Sequence, residues 1–423
     1  MGQSGSGKSE LLKYLAFAYA SNKAPSSAVV IIDPHGDLAQ DVAKLANQYG
    51  TDKLVYFDVG ISPNHTPVIN PLYSSKLKGI KKREEQKRFL SLQTKAIIGG
   101  FKAMMKTEFT QQMENLLKHC LSTLLQVPNS NISDLKEFTQ LEKSNKQNRL
   151  IEQGLNSIFE AHRPFFENEF LSDSWKPTRN GVANRMLGLN SEHIFLNCLT
   201  GINTIDLEEA INNKAVIALN FSKGELDKEV SQAFGALVLS QILSIGFSRH
   251  NIPEKERIPV HVFIDECQNF ISDSITETLT EARKYKVHLT LAQQIVGQNM
   301  DTAVEEAVLV NTNTKITGNA GYKSFNKLAR ETNVELDELH ALQKWQFFLS
   351  AGDDIRLPIR TYDHLIKEGA CMSDEEWEKV KQQQLKKYYR LLGQGKSQIP
   401  ITHPKEESST HSPEEDDKYG VLE

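Results

Sequence analysis

Near its start the chain carries Gly2-Gln3-Ser4-Gly5-Ser6-Gly7-Lys8-Ser9-Glu10. Two glycines with four residues between them, followed by a Lys-Ser pair, are what a phosphate cradle requires. Glycine lets backbone N–H groups turn toward phosphate oxygens, Lys8 reaches the β- and γ-phosphates, and Ser9 offers a hydroxyl to Mg2+. Leu11, Leu12, Leu15 and Ala18 follow at helical spacing, so a helix begins near Gly7 and its N-terminus favours anions. Far along the chain, Val262-Phe263-Ile264 run into Asp265-Glu266. That pattern predicts a buried strand delivering two carboxylates to a sheet edge. Beside bound phosphates, Asp265 would hold Mg2+ and Glu266 would polarise the attacking water. A third run, Glu281-Ala282-Arg283-Lys284-Tyr285, leads into apolar 287–291 and then Ala292-Gln293-Gln294. Gln294 is placed to contact the γ-phosphate or to cap its strand. Arg283 is placed to reach a neighbouring subunit's nucleotide as an arginine finger, or to pair with Glu277 or Glu281.

The elements that must position these groups alternate. Ala28-Val29-Val30-Ile31-Ile32, ending in Asp33-Pro34-His35-Gly36-Asp37, predicts a buried strand and a turn. A helix over 38–49 and a strand over 53–57 follow, and such alternation indicates an α/β domain with a parallel sheet. From about 74 to 200 the chain is rich in Leu, Lys, Gln and Glu, and Gln111 to Gln126 has a clear helical pattern. Strand patterns resume at 215–219, 260–264, 287–291 and 314–317. The expected organisation is an α/β domain of residues 1–73 and 201–370, interrupted by an all-helical domain of 74–200. Residues 371–423 are charged and polar, which predicts a largely disordered acidic tail.

Composition narrows the classes. With 423 residues, 39% hydrophobic and 24% charged, this is neither a fibrous nor a wholly disordered chain. The apolar stretch 233–247 is shorter than the ~18–20 residues of a membrane span, which predicts a buried helix. The polar N-terminus lacks the apolar region of a signal peptide, so a cytoplasmic location is expected. Cys120, Cys198, Cys267 and Cys371 are widely spaced with no CxxC, which fits a reducing compartment and argues against a cysteine zinc site. A net charge of −5 leaves nucleic-acid binding to local patches. The densest is Lys76, Lys78, Lys81, Lys82, Arg83, Lys87 and Arg88, either a sequence-independent phosphate-contacting surface or a solvated helix face.

Taken in order, GQSGSGKS, VVIIDPHGD, VINPL (68–72), VHVFIDECQNF and EARKYKVHLTLAQQ resemble the HerA/FtsK superfamily of hexameric DNA-pumping ATPases. The resemblance covers roughly residues 1–365. It is nearest to conjugative coupling proteins of the TraG/TraD type and HerA-like type IV secretion ATPases. It implies a RecA-like P-loop NTPase core with ATP and Mg2+ as cofactors. Residues 2–10 would bind the nucleotide and Ser9 and Asp265 the metal. Glu266, Lys8, Gln294 and, from the next subunit, Arg283 would carry hydrolysis, with Arg185 and Arg330 as further finger candidates. The partners implied are DNA, five more copies of the chain, and relaxosome or secretion-channel proteins, with recruitment to the inner face of the membrane. Two features depart from the family. Its P-loop follows a central strand, and here that first strand is expected to be missing. Relatives often carry an Arg within 311–322, where this chain has TKITGNAGYK (314–323). Three functions stay open: an ATP-driven DNA translocase, a protein-secretion ATPase of a type IV system, and a truncated, non-catalytic module binding DNA or a partner.

Overall fold

The computed structural model describes residues 1–2, 5–21, 27–73, 76–105, 109–222, 226–271, 281–294, 300, 302–319, 322–352, 355–362 and 369–392. The chain opens with α1 (Lys8–Ala20), β1 (Ala28–Asp33), α2 (Asp37–Lys44), α3 (Ala46–Tyr49), β2 (Leu54–Asp58) and β3 (His65–Thr66). A helical region follows: α4 (Arg83–Met105), α5 (Gln111–Leu124), α6 (Ile132–Thr139), α7 (Asn145–Leu155), α8 (Lys176–Ser191), α9 (His193–Leu199) and α10 (Leu207–Asn212). The chain then returns through β4 (Val216–Asn220), α11 (Lys228–Ser248), β5 (Val260–Ile264) and β6 (Val287–Leu291). It finishes with α12 (Thr302–Asn311), β7 (Thr314–Gly318), α13 (Tyr322–Thr332), α14 (Leu336–Ala341), β8 (Gln346–Ala351), β9 (Ile355–Arg360), α15 (Asp374–Tyr388) and β10 (Arg390–Leu391).

Five strands form a parallel sheet in the order β2-β4-β1-β5-β6. Every residue of β1 and β4 is buried, as expected where helices cover both faces. Side chains alternate between two cores. Val29, Ile31, Ala218 and Phe263 face α1 and α2, while Val30, Ile32, Leu219 and Ile264 face α11 and the helical region. α4 runs along α11 so closely that a Cβ at Gly100 would overlap Leu237. By length and composition the helix 228–251 could cross a membrane, yet 83% of its apolar window is buried. The expected helix thus extends well past its apolar stretch. The helical region packs onto the sheet through one continuous core.

Two expectations need correction. Thr314–Gly318 is a strand but leaves the parallel sheet. It pairs with β8, and β8 with β9, in an antiparallel sheet that the sequence pattern did not suggest. Residues 371–392 are ordered rather than tail: α15 lies over β2, with Trp377 edge-on to Tyr56 at 5.2 Å. Gln384 accepts from Tyr56 N at 2.8 Å and donates to Leu54 O at 3.0 Å. Tyr389 Oη accepts from Asp58 N and donates to Tyr56 O, each at 2.9 Å. Side chains therefore occupy the outer edge of β2 as a further strand would. Residues 393–423, the rest of the expected tail, lie outside the described residues.

The start of the sheet is held in another way. Among the described residues no strand precedes α1. Met1, however, sits between β6 and β7. Its nitrogen donates to Ile316 O at 2.6 Å, its carbonyl accepts from Gly318 N at 2.8 Å, and Gly2 N donates to Gln293 O at 3.4 Å. These are the bonds of a parallel strand, so Met1 and Gly2 are held on both sides. Behind them lies a cavity of about 410 Å³ bordered by Leu15, Leu289 and Ile316.

Candidate active site

The register of the sheet assembles the site. Ile32 and Leu291 both lie level with Ile264, so the chain leaves β1, β5 and β6 at one edge. Pairing continues past the strands: Asp265 N donates to Ile32 O at 3.1 Å, and Cys267 N to Ala292 O at 2.9 Å. Asp33, Asp265, Glu266 and Gln294 thereby emerge side by side. α1 approaches the same edge with its N-terminus, where Gly5 and Gly7 have φ of +78° and +99°. Gly7 caps α1 without a side chain, leaving the first N–H groups of the helix available to an anion. The resulting cleft of about 550 Å³ is bordered by Gly7, Lys8, Ser9, Asp265, Glu266 and Gln294.

Lys8 Nζ donates to Gly2 O at 2.6 Å. Burial lowers its pKa, against the charges of Glu266 and Asp265. Ser9 Oγ donates to Asp265 Oδ2 at 3.4 Å. Asp265 is raised to about 6, first by burial and then by the charges of Asp33 and Glu266. Glu266 is 6% exposed and has φ of +46°, the left-handed region that most side chains avoid. Its carboxylate is gripped from both sides, accepting from Gln294 Nε2 at 2.8 Å and from Gln268 Nε2 at 2.6 Å.

The residues present fit a nucleotide with Mg2+. The buried Ser6 Oγ inside the loop has no hydrogen-bond partner in the protein. The crowding of Asp265 by Asp33 and Glu266 disfavours its ionised form until a cation arrives. Among the described residues no cluster of three or more His, Cys, Asp or Glu forms a metal cage. A hydroxyl and one carboxylate, completed by phosphate oxygens and water, suit Mg2+.

Not every expected residue joins the site. Gln3 and Ser4 lie outside the described residues. Glu10 borders the cleft, and one oxygen of its carboxylate accepts from buried Lys13 at 2.6 Å, which also pairs with Asp41 at 2.8 Å. Arg283 is exposed at the start of β6, the opposite end of the strand from the cleft, and neither Arg185 nor Arg330 borders the cleft. In the basic stretch, Lys82, Arg83 and Lys87 pair with Glu85 at 3.3 Å, Glu160 at 3.1 Å and Glu84 at 3.1 Å. Lys81 and Arg88 are exposed, and the side chains of Lys76 and Lys78 lie outside the described residues.

Two groups at the cleft escaped sequence reasoning. Asp33 accepts from His35 N at 2.8 Å and Ala39 N at 3.0 Å, which fixes the turn into α2 beside the metal ligand. The signal was present, since β1 ends in an acid as β5 does. Lys344 and Trp345 come from the turn before β8, and nothing in their sequence neighbourhood points to phosphate.

A phosphate loop at a helix N-terminus, facing an Asp-Glu pair and a strand-end glutamine on a parallel sheet, defines a P-loop ATPase. Residues 1–221 match the family described as Helicase HerA, central domain, and the chain belongs to that family. Among solved structures it is similar to the bacterial conjugative coupling protein TrwB in its unbound form. That match has 13% identity and a TM-score of 0.59 over 85% of this chain and 83% of the other. It is also similar to VirB4 of Thermoanaerobacter pseudethanolicus, with 15% identity and a TM-score of 0.53 over 89% of each chain. Both likenesses show the fold. A search of curated protein sequences found no match.

Proposed function

We propose that this chain hydrolyses ATP to drive DNA through a ring of six subunits, as a coupling ATPase of a type IV secretion-like system. The observation that carries the hydrolytic part is Glu266, held by two amides beside Asp265 and opposite Lys8. Lys8 and the N–H groups of the loop bind the phosphates, and Glu266 takes the proton of the attacking water. Bound Mg2+ would be held by Ser9 and Asp265 and would neutralise charge on the β- and γ-phosphates. Structures of TrwB contain a non-hydrolysable ATP analogue or ADP with Mg2+, which supports the choice of ligands.

The ring reading rests on charge. Among the described residues that border the cleft there is no arginine, while Arg283 is presented on an exposed surface. An arginine from the next subunit would supply the missing transition-state cation. DNA as cargo is supported by the likeness to a conjugative coupling protein, with the exposed cations before and at the start of α4 as phosphate contacts. The likeness to VirB4 favours a second reading, in which protein is exported. Hydrolysis measured with and without DNA separates them. Stimulation by DNA is the expected result; a rate indifferent to DNA supports protein cargo, and ATP binding without turnover supports a non-catalytic module. The place of action proposed is the cytoplasm, at the inner face of the membrane, beside relaxosome or secretion-channel proteins.

A further inference from the structure

We infer that Lys344 is a second phosphate-binding cation of the nucleotide cleft, presented to it by Trp345 from the antiparallel sheet. This rests on the reading of the cleft as a nucleotide site. A nucleoside triphosphate remains anionic after binding one Mg2+, so a cleft bordered by Asp33, Asp265 and Glu266 needs cations. Of the Lys and Arg residues among the described ones, two border it: Lys8 and Lys344. No carboxylate partner of Lys344 occurs among the described residues; its ammonium lies 4.4 Å from the centre of the Trp345 ring. That contact holds the charge at the cleft without neutralising it.

Trp345 is fixed to the phosphate loop itself. Its N–H donates to Ser6 O at 2.8 Å, and its carbonyl accepts from Thr361 N at 2.9 Å. Its ring packs where a Cβ of Gly7 would be, so any side chain at Gly7 would overlap it. Trp345 also has φ of +66°, a conformation rare for a bulky residue and maintained here by contacts on both sides. Two side chains of the cleft, Glu266 and Trp345, thus stand on left-handed backbone. Such strain concentrates where a group must be held at a set point. The turn before β8 is thereby tied to the loop that wraps the phosphates, with Lys344 at its tip. Lys344 engages the phosphates of the bound nucleotide, and its charge adds to that of Lys8.

Calorimetric titration of the full chain with ADP·Mg2+ and ATP·Mg2+ tests this, using wild type, Lys344→Met, Lys344→Arg and Lys8→Ala. Lys344 is exposed, so its replacement leaves the fold intact. Lys344→Met is expected to weaken both nucleotides by roughly 10- to 100-fold, the worth of one charge-assisted hydrogen bond. Binding by that variant should also depend less on salt, and Lys344→Arg should recover most of the loss. A Lys344→Met chain that binds like wild type, while Lys8→Ala does not bind, overturns the inference and leaves the nucleotide site standing. A wild-type chain that binds neither nucleotide overturns the site itself, and the inference with it.

Discussion

Replacing Gln294 by alanine should slow hydrolysis without loosening ADP. Gln294 Nε2 donates to Glu266 Oε1 at 2.8 Å, and Gln268 Nε2 donates to the other oxygen at 2.6 Å. Removing Gln294 leaves the carboxylate held on one side, free to turn away from the water it must deprotonate. A hydrogen bond to a charged group is worth about 1.5–3 kcal/mol. If that loss falls on the barrier, kcat drops roughly 10- to 150-fold. Gln294 holds Glu266 rather than the phosphate loop, so Kd for ADP should stay within about threefold, well under 1 kcal/mol. Gln294→Glu should be worse, because it sets a like charge against Glu266. Steady-state hydrolysis gives kcat, and calorimetry gives the ADP Kd. A Gln294→Ala enzyme with wild-type kcat refutes the role given to this pair.

Three other outcomes follow from the structure. Gln384→Ala removes two hydrogen bonds from the edge of β2 and orphans Tyr56 N and Leu54 O. At about 1 kcal/mol each, the loss is about 2 kcal/mol, visible as a lower denaturant midpoint, whereas an unchanged midpoint would return 371–392 to the status of a tail. Burial lowers His119, His162 and His261 to about 4, with the His162 charge adding at His119 and the His288 charge at His261. The unfolded chain takes up these protons near pH 6.5 and the native one does not. The stability these histidines contribute is therefore complete above ~6.5 and is lost as pH falls toward 4. Asp265, raised to about 6, opposes this as a single group. The denaturant midpoint should fall between pH 7 and pH 5, and a midpoint that rises would reverse the argument. If Arg283 acts across subunits, mixing Arg283→Ala chains with Lys8→Ala chains restores part of the activity each lacks alone; a mixture as inactive as its components rejects the finger.

The sheet was legible in the sequence where burial on both faces leaves an unbroken apolar run. β5 and β6 fall where those runs predict, and β1 and β4 within one residue. The phosphate loop and the Asp-Glu pair were legible because their residue types are dictated by backbone turns and charge. What failed depends on contacts distant in the chain. Thr314–Gly318 reads as a strand, but nothing local tells whether it joins β6 or β8. The 371–392 segment hid behind its charges, although Trp377, Val380, Gln384 and Tyr388 recur at helical spacing. Its anchors are a buried amide and a phenol, which composition counts as polar. Lys344 carries no local signal, since its place at the phosphate loop comes from Trp345 and the fold of a separate sheet.

The most direct test compares wild type with Glu266→Gln for ATP binding and for hydrolysis. Glu266→Gln keeps Lys8, Ser9 and Asp265, so ATP·Mg2+ should bind as before while turnover falls to background. Wild-type turnover by Glu266→Gln would contradict the account, because the group it places at the attacking water would then do no chemistry.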